Sequence, residues 1–137
     1  MSRRHLLPLL LLLGFSAGLR AEPARIVYHL HQVTPVTMKR ALNNIENLYK
    51  GLERERPEIR LLLQGESLML LSPQKLTPEY RQRLMALLRK GLILEAGEAN
   101  YRQRQQQLDP TIAARLNRNI IARLVELQRQ GYHYLTP

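Results

Sequence analysis

Residues 58–65, "EIRLLLQG", decide the fold: Leu61-Leu62-Leu63 is apolar without alternation and is closed by a glycine at Gly65. A strand that reads as a continuous apolar run suits a parallel sheet covered by helices on both faces. Upstream, "RIVYHLHQV" (residues 25–33) is β-branched and apolar and reads as a first strand. Between the two, Met38, Leu42, Ile45, Tyr49 and Leu52 recur at helical spacing, so one face of a helix is buried. Thr34-Pro35 reads as its start and Pro57 as its end.

The same alternation continues downstream. Thr77-Pro78 opens a second helix, with Tyr80, Leu84, Leu87 and Leu88 on one stripe and Gly91 as the stop. Residues 92–96 form the third strand. Asn100 reads as the cap of a polar segment, "YRQRQQQL", which Asp109-Pro110 breaks. Residues 112–116 read as a short fourth strand. Ile120, Ile121, Leu124 and Leu127 form a last helical stripe, Gly131 ends it, and "YHYL" is a final strand. Strands alternating with helices predict an α/β protein: three αβα layers around a mostly parallel, roughly five-stranded sheet.

The chain opens with Arg3 and Arg4, a short apolar run from Leu6 to Leu13, and small residues ending at Ala21. That is the pattern of a cleaved secretory signal. The run is about half of the ~20 residues a spanning helix needs, which disfavours an uncleaved anchor. The reading is therefore a signal peptide over residues 1–21, with Ala17 as the second cleavage site, and one domain over residues 22–137. It places the protein in the periplasm. No cysteine occurs, so a lipid anchor, disulfides and thiol chemistry are all excluded.

The formal net charge is +10, almost all from arginine. The arginines are spread over every helix instead of forming a stripe interleaved with aromatics, so nucleic acid is not the expected partner. At most a weak attraction to anionic envelope surfaces follows. Neither a G-x-G-x-x-G run nor a phosphate-binding loop is present, and no cofactor is expected.

Few residues offer chemistry. His29 and His31, two apart on a strand, share a face and form a possible metal pair, although a third ligand is not visible. Ser67 lies in "GESLM", which is not a nucleophile elbow. Glu95 and Glu98 flank Gly97, and a carboxylate pair performs acid–base work where burial raises one pKa. With Gln64 at the end of the second strand, the candidate pocket is His29, His31, Gln64, Ser67, Glu95, Gly97 and Glu98.

Four stretches in order resemble the DsrE/DsrF-like family of small sulfur-relay proteins. "RIVYHL" resembles the first strand, with His29 at a position often histidine, and Asn44 and Asn47 of "ALNNIENLYKGL" match an Asn-x-x-Asn pair. "IRLLLQG" resembles the second strand. "ARLVELQRQGYHYLTP" resembles the close, through Leu127, Gln128, Gly131, Tyr132, Tyr134 and Pro137. The resemblance spans residues 25–137. It implies the same α/β fold, trimers or hexamers with sites near subunit interfaces, and a persulfide-carrying cysteine just past the third strand. Aligned from Gly91, that cysteine falls on Gly97 here. Ser67 also replaces a common second glycine, and the loop after Leu108 is shorter. The resemblance therefore implies the scaffold without sulfur transfer. The expected function is an exported, non-catalytic binding or assembly module, with a periplasmic protein as a possible partner. The alternative is a metal- or small-ligand-binding protein, or an enzyme, using His29, His31 and Glu95 or Glu98.

Overall fold

The computed structural model describes residues 22–137; the expected signal segment, residues 1–21, lies outside them. Five strands, β1 (Arg25–Leu30), β2 (Glu58–Leu63), β3 (Ile93–Gly97), β4 (Leu116–Asn119) and β5 (His133–Leu135), form one sheet in the order β4-β3-β2-β1-β5. Every neighbouring pair is parallel. The expected α/β class with a five-stranded parallel sheet is what the chain adopts.

The register sorts side chains to the two faces, because paired residues of parallel strands point the same way. Ile26, Tyr28, Leu30, Ile59, Leu61, Leu63, Leu94 and Ala96 pack with Met38, Ala41, Leu42 and Ile45 of α1 (Thr37–Gly51) and Leu84, Leu87 and Leu88 of α2 (Pro78–Lys90) in the main core. On the other face, Val27 and Leu62 pack with Leu127 of α5 (Ala122–Arg129) and with Tyr132. This second layer is thin: Leu127 is the one fully buried residue of α5.

Two shorter helices complete the chain, α3 (Glu98–Arg104) and α4 (Pro110–Ala113), together with 3-10 turns that include Gly65–Leu71. Asp109 accepts from the backbone N–H groups of Thr111 and Ile112 and pairs with Arg81 at 2.7 Å. Asp109-Pro110 thus starts a helical turn instead of only breaking one, and the strand expected over residues 112–116 is displaced to Leu116–Asn119. The first helix starts later than Thr34-Pro35 implies. Thr34 and Thr37 close a turn on each other, the Thr34 N–H donating to Thr37 Oγ1 at 2.7 Å, and the helix proper begins at Thr37. Asn100 is not a cap; α3 runs through it from Glu98. The expected stripe of Ile120, Ile121, Leu124 and Leu127 is only half buried, since Ile120 and Ile121 precede α5 and stand 71% and 60% exposed. Thr77 does cap α2, accepting from the Tyr80 N–H, and Gly91 ends it at φ +110°, a conformation that glycine alone adopts cheaply.

Candidate functional site

Parallel strands put their carboxyl ends on one edge, and in open α/β sheets ligands bind there. Along this edge Gln64 follows β2, Gly97 ends β3 and Asn119 ends β4. They line a cleft of about 260 Å³ whose walls also include Glu98, Asn100, Leu62, Ile120 and Ile121. The cleft is built by strand ends that the main core holds fixed and by the first residues of α3, so its position follows from the sheet itself. A larger depression, about 760 Å³, is lined by charged residues such as Lys50, Glu53, Arg56 and Lys90, and holds none of the seven candidate residues.

Gln64, Gly97 and Glu98 therefore converge. Gly97 has φ −64° and ψ 134°, ordinary extended values, and the Nδ2 of Asn100 lies 3.2 Å from where a Cβ would stand. Glu98 is ion-paired with Arg102 at 2.8 Å and with Arg118 at 3.6 Å.

His29 reaches the cleft only through Gln64. It is 7% exposed, with Nε2 2.6 Å from Gln64 Oε1 and Nδ1 2.8 Å from the Tyr134 hydroxyl. Oε1 can only accept, so Nε2 carries the proton and donates, and the tyrosine hydroxyl donates to Nδ1. Burial lowers the His29 pKa below 6.5; the Gln64 hydrogen bond pulls it back up, and nearby His31 lowers it further. A neutral ring with both nitrogens engaged is a structural pin between β1, β2 and β5.

The remaining candidates lie elsewhere. β1 ends at Leu30, so His31 falls beyond the strand. Its ring centroid is 4.9 Å from that of His29, but it lines a separate depression of about 120 Å³ with Thr34, Thr37 and Arg40. Among the described residues no group of three or more His, Cys, Asp or Glu side chains is arranged to hold a metal. Ser67 is not in an open loop: it is 0% exposed in the 3-10 turn after β2, its hydroxyl within 2.7 Å of the carbonyl oxygens of Leu30 and Gln64. Glu95 is not a solvated loop carboxylate. It belongs to β3, is 1% exposed, and accepts from Arg60 Nη1 at 2.8 Å with Arg123 Nε at 3.8 Å. Arg60 in turn donates to the Tyr132 hydroxyl at 3.0 Å.

Asn100, Asn119, Ile120 and Ile121 also line the cleft, and sequence reasoning missed them as site residues. The one local signal for them is "NRNII", where polar residues interrupt the run just before two isoleucines.

No family model and no curated protein matches the chain. Solved structures do, among them these two. One is a conserved protein of unknown function, BT1422, from Bacteroides thetaiotaomicron, at 15% identity and TM-score 0.57, covering 82% of this chain and 94% of that one. The other is the ychN protein from E. coli, at 16% identity and TM-score 0.59, covering 85% of this chain and all of that one. At such identities the likeness is one of fold, and these are small α/β proteins of the same architecture as this chain.

Proposed function

We propose that the protein is a non-catalytic binding or assembly module on a DsrE/DsrF-like scaffold, exported to the periplasm, with the cleft at the ends of β2, β3 and β4 as its binding site. The observation that carries this reading is that the groups able to do chemistry near the edge are already engaged. Both His29 nitrogens are hydrogen-bonded, the Ser67 hydroxyl is buried against backbone carbonyls, and Glu95 is ion-paired with Arg60 and Arg123 through Oε1, its buried Oε2 meeting no hydrogen-bond donor. A hydroxyl nucleophile needs an adjacent base, and the Ser67 hydroxyl meets only the backbone carbonyl oxygens of Leu30 and Gln64. The cleft itself keeps polar groups and apolar walls but lacks a thiol at Gly97.

Self-association belongs to the same reading, as a trimer or hexamer. It is supported by the resemblance and by the outer edge of β5, which among the described residues pairs only with β1 and exposes Tyr134 and Leu135. An open edge strand favours pairing with another chain.

Native mass spectrometry of the protein purified from cells tests both halves. A bound molecule or protein partner should be present, and Asn119→Trp, which fills the cleft, should remove it. Conversion of that molecule on incubation, or its retention by the filled variant, would overturn the proposal.

A further inference from the structure

The cleft's polar groups are more selective than its shape, and the ligand class they imply rests on the cleft being a binding site. Gln64, Asn100 and Asn119 bring three carboxamides to it, and Leu62, Ile120 and Ile121 bring an aliphatic wall. The carboxylate lining it, Glu98, already has two arginines as partners at 2.8 and 3.6 Å. A chain of net charge +10 thus presents a cleft whose own charges are paired. An ionised ligand group entering it would lose hydration without gaining an unpaired counter-charge, which is unfavourable.

A carboxamide offers N–H donors on one side and a carbonyl acceptor on the other, and its natural complement is another amide. His29 fixes the direction of one of the three. Because its Nε2–H holds the Gln64 Oε1 at 2.6 Å, the Gln64 nitrogen is the end left for the cleft, as a donor to a ligand carbonyl. The rim isoleucines, 71% and 60% exposed, leave apolar surface in water that a branched aliphatic group would cover.

We propose that the cleft binds an uncharged peptide group beside a branched aliphatic side chain, as in a neutral stretch of a peptide, with Gln64 reading the carbonyl and Ile120 and Ile121 the side chain. His29 is a positioning residue for Gln64 and does not touch the ligand.

Three probes of nearly equal size isolate the charge: N-acetylleucinamide (neutral), N-acetylleucine (anion) and leucinamide (cation). Each is titrated into the full mature protein while the side-chain amide signals of Gln64, Asn100 and Asn119 are followed by nitrogen-15 NMR. The neutral probe should shift these signals saturably, and the charged ones should bind about tenfold more weakly, the difference expected for desolvating one unpaired charge at a partly open site. Asn119→Ala and Ile120→Ser should each weaken the neutral probe several-fold while keeping the wild-type denaturation midpoint. Equal or tighter binding of either charged probe at the same signals would overturn the ligand class and leave the cleft as a site. Failure of all three probes to move these signals would overturn the cleft reading as well. Unchanged affinity in a folded Asn119→Ala protein would overturn the role of the carboxamides.

Discussion

Arg60 Nη1 lies 2.8 Å from Oε1 of Glu95, and the carboxylate it meets is 1% exposed. Breaking a buried pair from one side leaves the other charge without compensation. Glu95→Ala should therefore cost about 3 kcal/mol, the low end for breaking a buried pair, since Arg60 and Arg123 would keep only the more exposed Glu58 and Glu126 at 3.2 and 3.4 Å. Urea unfolding measures it. A loss below about 1 kcal/mol, the scale of an exposed pair, would return Glu95 to the pool of groups free for chemistry.

His29 gives the stability a definite pH dependence. Its folded pKa lies below 6.5 because burial disfavours the charged ring. An unfolded chain takes up that proton near 6.5, while the folded chain resists until lower pH. In that window the unfolded state binds more protons, so acidification from neutral destabilises the protein and the contribution is intact above 6.5. Thermal midpoints against pH should fall on acidification in the wild type and fall less in His29→Phe. The same pinned ring predicts weak binding of Zn²⁺, because two histidines without a third ligand do not complete a site. A tight one-to-one zinc complex lost in His31→Ala would contradict this.

Asp109 caps α4 and pairs with Arg81, and that guanidinium, with the Thr111 and Ile112 N–H groups, holds the carboxyl below 3.8. Asp109→Ala should destabilise by about 1–2 kcal/mol, the cost of a lost N-cap. This contribution is present above 3.8 and disappears as pH falls through the lowered folded value. The two unfolding curves, measured at neutral and at strongly acid pH, should therefore converge in acid.

The N-terminal segment predicts an intact mass. Protein recovered from the periplasm should lack residues 1–21, or end its leader at Ala17. Full-length protein in the cytoplasm would contradict the proposed export.

Local sequence reveals some of these relationships and hides others. The apolar runs of β1, β2 and β3 and the Thr77 and Gly91 signals of α2 act within a few residues, so they are legible. The fate of Glu95 is not local. It depends on Arg60, one strand over and 35 residues away, and on Arg123 from a helix on the thin face. The cleft depends on β4 lying beside β3, because Asn119 stands opposite Gly97 in that pairing. With the fourth strand expected about four residues early, Asn119 and the isoleucines after it fall past the strand end, and their closing of the site is hidden.

Gly97→Cys probes the position where the resemblance implies a reactive thiol. Gly97 sits at φ −64°, so the backbone does not require glycine. The new Cβ would meet Asn100 Nδ2 at 3.2 Å, which a shift of a few tenths of an ångström in that side chain relieves. The variant should fold with a loss of no more than about 1 kcal/mol, since one partly exposed side chain absorbs the strain. Its reactivity follows from its neighbours. Glu98 opposes thiolate formation, while Arg102 and Arg118 would favour it but are occupied by Glu98. With both arginines engaged, alkylation should titrate near the ordinary thiol value of about 8.5. A thiolate formed well below neutral pH, with persulfide accumulating as the thiolate takes a sulfane sulfur from inorganic polysulfide and releases the shortened polysulfide, would show that the cleft still holds activating groups and would overturn the non-catalytic reading.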